Sequence, residues 1–190
     1  MKKTTRIISF MLVVAVMFSM VFVDAFAIES EAAAARKVTT GVVRSYKQND
    51  PKLKKVPAVK KGTTRVTQKK QHALVKFTAP QTKAYTFTVS NVSDPSDKSN
   101  IACGHYYILK DNGRGYLESL TASTQGGKNS TLRIATPQFL NNWNQSGSKS
   151  TWYLKSRYGK VKLKKGETVY LDVFVTVGTN KKSLYTLNIK

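Results

Sequence analysis

A thiol and an imidazole stand two residues apart at Cys103 and His105, with Gly104 between them. In a strand both side chains would leave on one face. A cysteine nucleophile also needs a third group to orient the histidine, and donors for the oxyanion. Neither is recognisable around this pair, so Cys103 is predicted to be a small buried hydrophobe and no residue is assigned a catalytic role. His72 reads as an exposed strand-end residue. The carboxylates lead to the same place. After the first segment of the chain they are Glu29, Glu31, Asp50, Asp94, Asp97, Asp111, Glu118, Glu167 and Asp172, and no pattern pairs two of them as a glycosidase requires. Asp94, Asp97 and Asn100 are a candidate set of oxygen ligands for calcium, but Asp, Ser and Pro over that stretch suffice to make a turn. No zinc-ligand spacing occurs. The expectation is a chain with no metal, no cofactor and no enzymatic activity.

Recognition chemistry is better represented. Trp143 lies in Asn141-Asn142-Trp143-Asn144-Gln145, read as a polar, amide-rich loop. Asn142 and Asn144 offer paired donors and acceptors to sugar hydroxyls, and an indole face stacks on the apolar face of a sugar ring. The alternative is that Trp143 plugs the end of a sandwich. Thr151–Arg157 reads as a strand, with Tyr153, Lys155 and Arg157 on one face and Trp152 and Tyr153 serving core and strand surface. Continuing through Tyr158, Lys160, Lys162, Lys164 and Lys165, the segment interleaves rings with cations, a pattern that single-stranded nucleic acid also exploits. Trp143, Asn142, Asn144, Tyr153, Lys155, Arg157 and Tyr158 are therefore the candidate ligand-binding residues.

The charge balance points to the class of partner. Thirty-two Lys and Arg face ten Asp and Glu, a net charge of +22. A field of that size favours polyanionic partners, or serves solubility alone.

The N-terminus narrows the choice. Lys2, Lys3 and Arg6 precede an apolar run from Ile7 to Val23, and Ala25-Phe26-Ala27 follows it. This is the order of a secretory signal peptide. The run exceeds a common signal core yet falls short of the ~20 residues that cross a bilayer comfortably, so cleavage is favoured over an uncleaved anchor. Residues 1–27 are read as signal peptide, 28–36 as linker and 37–190 as the domain, with a second possible cut within Ala32–Ala35. Cleavage after Ala27 removes three cations and one anion and leaves +20. No second apolar run follows, so no integral membrane association is expected after cleavage. With Cys103 alone, no intramolecular disulfide can form. A secreted or surface-attached chain of this charge meets acidic polysaccharides, cell-wall polymers, anionic lipid headgroups and extracellular nucleic acid. Export and the lack of a nucleic-acid motif weigh against the last.

The elements that must position these residues are strands. Val75, Phe77 and Ala79 alternate with Leu74, Lys76 and Thr78; Tyr85, Phe87 and Val89 alternate with Thr86, Thr88 and Ser90. Pro80-Gln81-Thr82-Lys83 between them reads as a hairpin connection. Further strands are predicted at His105–Lys110, Thr131–Thr136, Val169–Val177 and Leu184–Ile189. The almost continuously apolar Val169–Val177 is expected at a sheet centre. Pro51 and Pro57 limit residues 37–70 to short edge strands and loops. Turn clusters separate the runs, and two of them echo each other, Val59-Lys60-Lys61-Gly62-Thr63 and Leu163-Lys164-Lys165-Gly166-Glu167. With no convincing helix, the fold class is all-β: a two-sheet antiparallel sandwich or jelly roll. Val75, Phe77, Phe87, Val89, Val173 and Val175 are expected to face inward.

The stretches Ala73-Leu74-Val75-Lys76-Phe77-Thr78-Ala79-Pro80 and Lys83-Ala84-Tyr85-Thr86-Phe87-Thr88-Val89-Ser90 resemble the opening of the bacterial pre-peptidase C-terminal domain. The closing pair, residues 163–171 and 184–189, resembles its end. The resemblance spans roughly residues 60–190, with its motifs at the two ends. It implies a non-catalytic β-sandwich of the kind appended to secreted enzymes, some of which bind carbohydrate or protein polymers. No enzyme domain accompanies it in this sequence. The resulting expectation is an exported module that binds anionic cell-envelope or matrix polymers, possible carbohydrate ligands included. The alternatives are a structural domain serving a protein partner, or extracellular nucleic-acid binding.

Overall fold

The structure, a computed structural model, describes residues 35–43, 51–96, 98–114, 116–145, 152–176 and 182–190. The signal peptide and nearly all of the linker lie outside the described residues. Twelve strands and one helix follow: β1 (Arg36–Thr40), β2 (Gly62–Gln68), β3 (His72–Thr78), β4 (Lys83–Ser93), β5 (Cys103–Asp111), β6 (Leu117–Ser119), β7 (Ala122–Thr124), β8 (Gly127–Asn129), β9 (Leu132–Ala135), α1 (Pro137–Gln145), β10 (Ser156–Leu163), β11 (Thr168–Val175) and β12 (Ser183–Ile189). The larger sheet runs β1-β2-β12-β4-β10-β7-β8. The smaller runs β3-β11-β5-β6, with β9 also pairing β5. Ladders within both sheets are antiparallel, except that β1 joins β2 in parallel. Among the described residues no helix is long and apolar enough to cross a membrane.

The period-2 strands bury one face each, as their alternation requires. Val75, Phe77, Phe87, Val89, Val173 and Val175 are all buried in one cluster between the sheets. The ring of Phe77 lies 5.0 Å from that of Tyr85 and 5.5 Å from that of Phe87. Tyr106 ties the layers by hydrogen bonding. From β5 its hydroxyl lies 2.9 Å from the Phe87 carbonyl and 3.0 Å from that of Arg157, both on the opposite sheet. β11 lies between β3 and β5, at the centre predicted for it.

Four expectations need correction, the last of them the edge role expected of residues 37–70. Pro80 to Lys83, predicted as a hairpin connection, instead carries the chain from the smaller sheet to the larger. The apolar faces of β3 and β4 meet across the interior and do not share one surface. The strand predicted for Thr151–Arg157 starts only at Ser156; Trp152 to Lys155 form a turn with a single bridge at Leu154. The Asn141–Gln145 loop is the end of helix α1. Pro137 takes the first helical position, where its missing N–H costs nothing. Thr136 caps it by accepting the Phe139 N–H at 3.2 Å.

The smaller sheet carries a second apolar cluster on its outer face. On its outer side Leu74 and Leu109 are buried with Val56 and Leu117, and Val42, Leu53, Tyr107 and Tyr170 pack against them. The cover is a short 3-10 turn at Pro51–Lys55, with Val42 and Val56. Residues 37–70 are therefore more than edge material: β2 is an interior strand of the larger sheet.

Candidate functional site

Cys103 and His105 share the outward face of β5. His105 stacks on Phe174 at 5.1 Å and meets the edge of Tyr107 at 5.0 Å. Burial, then the charge of Arg133, hold its imidazole below the ordinary range. Cys103 is half-buried beside the Tyr153 hydroxyl. His72, half-buried at the start of β3, points Nδ1 at Asp172 from 3.6 Å. Asp94 accepts hydrogen bonds from Ser96, and Asn100 accepts the Asp94 N–H, which is the pattern of a turn. Asp97 lies outside the described residues. Among the described residues no three His, Cys, Asp or Glu gather as metal ligands.

The larger sheet presents a different surface. Its seven strands contain eight Lys or Arg: Arg36, Lys37, Arg65, Lys83, Lys128, Arg157, Lys160 and Lys162. They contain no Asp, Glu or His. Pairing register sorts the outward side chains into rows. One row runs Lys37, Arg65, Thr186 and Ser90. The next runs Thr63, Asn188, Thr88 and Tyr158, with the Asn188 side chain donating to Thr63 Oγ1 at 2.8 Å. A third runs Thr86, Lys160, Ser123 and Lys128. Lys162 follows along β10. The face is therefore a field of hydroxyls and cations. In β4, Asn91 adopts φ 50°, where the ladder to β12 slips register between Leu184 and Thr186. Lys37, Arg65, Asn91 and Thr186 line a hollow of about 370 Å³ there.

At the far edge of this sheet the β7–β8 hairpin stands beside β9 and the turn at Trp152. A polar groove of about 180 Å³ runs there, lined by Gln125, Lys128, Asn129, Arg133, Trp152 and Arg157 among others. Arg133 lies on the outward side of β9, and its guanidinium carbon sits 4.3 Å from the Trp152 ring centroid. Arg157 is 7% exposed because it alternates in phase with Gly159, Val161 and Leu163. Its Nη2 donates to the Trp152 carbonyl at 3.1 Å. Burial lowers the Arg157 pKa first, and the nearby Arg133 charge lowers it further, against an opposing contribution from Tyr106.

The candidate residues from sequence are thus dispersed. Trp143 is half-buried, its ring 5.7 Å from Phe139 and 6.1 Å from Tyr153. Asn142 and Asn144 are exposed on α1 and Lys155 on the turn. Tyr153 packs into the aromatic cluster, and burial raises its hydroxyl pKa first. Tyr158 lies on the larger sheet's outer face. Arg157 alone of the seven lines the polar groove. Tyr153, Lys155 and Arg157 do not share a strand face, since only Arg157 belongs to a strand. The exposed indole of this region is Trp152, 62% exposed. Trp152, Arg133, Gln125 and Asn129 were missed as site residues. One signal for them was available: a charge at position 157 in step with apolar inward positions.

No protein-family model matches the chain, and no curated protein matches it. Among solved structures it is similar to the pre-peptidase C-terminal domain of a collagenase from Bacillus anthracis. That likeness has 10% identity and a TM-score of 0.33, over 71% of this chain and 94% of the other. It is also similar to CorA of Methylomicrobium album BG8, described as a surface-associated copper-binding protein. There the identity is 6% and the TM-score 0.35, over 71% of this chain and 98% of the other. The first is the kind of domain that the strand motifs resemble. Both likenesses are faint, and the two-sheet fold rests on this chain's own strand pairing.

Proposed function

We propose that this chain is an exported, non-catalytic β-sandwich module that binds anionic cell-envelope or matrix polymers through the outer face of its larger sheet. One observation carries the reading: five outward cations, Lys37, Arg65, Lys128, Lys160 and Lys162, stand among hydroxyls on seven strands without a carboxylate. Exposed single charges attract weakly in water, and salt screens them beyond about 8 Å at physiological ionic strength. Several on one surface, facing a chain with a charge on every repeat, add their attractions. Hydroxyls between them donate and accept towards a polysaccharide. Export rests on the charged, apolar and small-residue order of residues 1–27.

The test is retention of the protein lacking residues 1–27 on immobilised polymers across a salt series. A carboxylated polysaccharide and a phosphate-rich cell-wall polymer are set beside a neutral glucan and duplex DNA. The expected result is retention on both anionic cell-surface polymers at low salt, falling steeply as salt rises, with none on the glucan. No retention on either anionic polymer at low salt would overturn the reading. Stronger retention on DNA at every salt would move the partner to nucleic acid.

A further inference from the structure

The groove between the β7–β8 hairpin and the Trp152 turn is chemically unlike the sheet face it adjoins. Its two guanidiniums, Arg133 and Arg157, are near enough for the charge of one to disfavour that of the other. No Asp or Glu is among the residues that line the groove. A guanidinium is a planar fork of donors that matches a carboxylate in two-point contact. Trp152, stacked by Arg133 yet 62% exposed, offers indole surface on which a sugar ring can lie. The side-chain amides of Gln125 and Asn129 line the same groove and can bond ring hydroxyls.

Resting on the polyanion-binding reading, the geometry points to this groove as a specific site for a single uronic acid residue of the polymer. The sugar carboxylate meets Arg133, the ring lies on Trp152, and the amides take hydroxyls. Arg157 acts as a positioning residue, because its bond to the Trp152 carbonyl fixes the turn that carries the indole. The sheet face would then supply the salt-sensitive attraction, and the groove would select carboxylated sugar over other anions.

The experiment is calorimetric titration of the protein lacking residues 1–27 with a galacturonate tetrasaccharide, its methyl ester and inorganic phosphate. Wild type is compared with Trp152→Ala, Arg133→Gln and the double variant Lys160→Glu/Lys162→Glu. Urea unfolding of each variant verifies that it is folded, and Arg133→Lys is a gentler second substitution. Tetrasaccharide affinity is expected to fall about tenfold or more in Trp152→Ala and in Arg133→Gln. The ester is expected to bind as weakly as those variants do. The double variant should keep tetrasaccharide affinity within about threefold while losing polymer retention at low salt. Unchanged affinity in folded Trp152→Ala would overturn the uronate site. So would phosphate binding that depends on Arg133 at the same concentration as the sugar. If the tetrasaccharide does not bind but the polymer still does, this inference fails and the sheet-face reading stands. If the polymer is not retained, the reading beneath both has failed.

Discussion

The outer face of the larger sheet carries Lys37, Arg65, Lys128, Lys160 and Lys162 among threonines and serines. The outer face of the smaller sheet carries Leu74, Leu109, Tyr107 and Tyr170, with Leu53 and Val56 packed over them. The inner faces are alike and share one core. The strands of the smaller sheet also balance their charges: Lys76, Lys110 and Arg133 against Asp111, Glu118 and Asp172. An apolar cluster on an outer face must be covered, and that part of the sandwich serves stability. Strands with one polar face stay open to solvent, and their side chains are free for recognition. Five of the strand cations are thereby placed on one surface by sheet assignment.

The largest effect is expected in the smaller sheet. Gly104 of β5 sits so close to β11 that an added Cβ would lie 2.0 Å from the Phe174 carbonyl oxygen. Backbone cannot yield as a side chain does, so Gly104→Ala is expected to exceed the about 1–3 kcal/mol of ordinary overpacking and to prevent folding. Circular dichroism of the purified variant checks it. Next, Leu74→Ala opens a cavity under the covering turn and should cost about 2–5 kcal/mol in urea unfolding. Its retention on a polyanion should match wild type under conditions where it is folded. A binding defect as large as the stability defect would show that the two faces are not separate in role.

In the larger sheet, Gly159 offers a milder counterpart to Gly104. A Cβ there would meet Leu132 Cδ1 at 2.6 Å and Ile108 Cδ1 at 2.9 Å, both ends of side chains that can turn. Gly159→Ala should therefore cost only about 1–3 kcal/mol and leave a folded, binding protein. Unfolding as complete as that of Gly104→Ala would show that the core beneath β10 has no room to adjust.

The smallest effect is that of acid. His105 titrates below its usual 6.5 when folded, so as pH falls through that value the unfolded chain takes the proton first and stability declines. Glu167 is held low, chiefly by the hydrogen bond from Lys110 at 2.7 Å, then by the Lys164 N–H. Its contribution is present above the ordinary 4.5 and is lost as pH falls below that. Urea midpoints should therefore fall in two stages from neutral to acid pH, and His105→Phe should remove the first. The strands of the larger sheet contain no Asp, Glu or His, so retention on a strongly acidic polymer should not change over the first stage.

Much of the fold was legible because alternation is local. Phe77, Phe87 and Val173 announce their inward faces through their own neighbours. Which sheet a strand joins is not local: β3 and β4 are four residues apart and lie on opposite sheets because their apolar faces oppose each other. The helix was legible in hindsight from Thr136 and Pro137, a cap and a first-turn proline, with Phe139, Leu140 and Trp143 spaced for one face. The amide run around Trp143 outweighed that signal. The groove was harder to foresee. Arg133, Trp152 and Arg157 come from a strand, a turn and another strand, and they meet only because β9 and β10 adjoin at one edge of the sandwich.

On the proposed reading the larger sheet's face, and not net charge, holds the polymer. The most direct measurement compares Lys160→Glu/Lys162→Glu with Lys54→Glu/Lys55→Glu on an immobilised carboxylated polysaccharide at low salt. Both variants change net charge equally. Lys54 and Lys55 are exposed on the turn that covers the smaller sheet. The first variant is expected to elute at markedly lower salt and the second close to wild type. Equal loss in both would contradict that reading and leave a domain held by its overall charge.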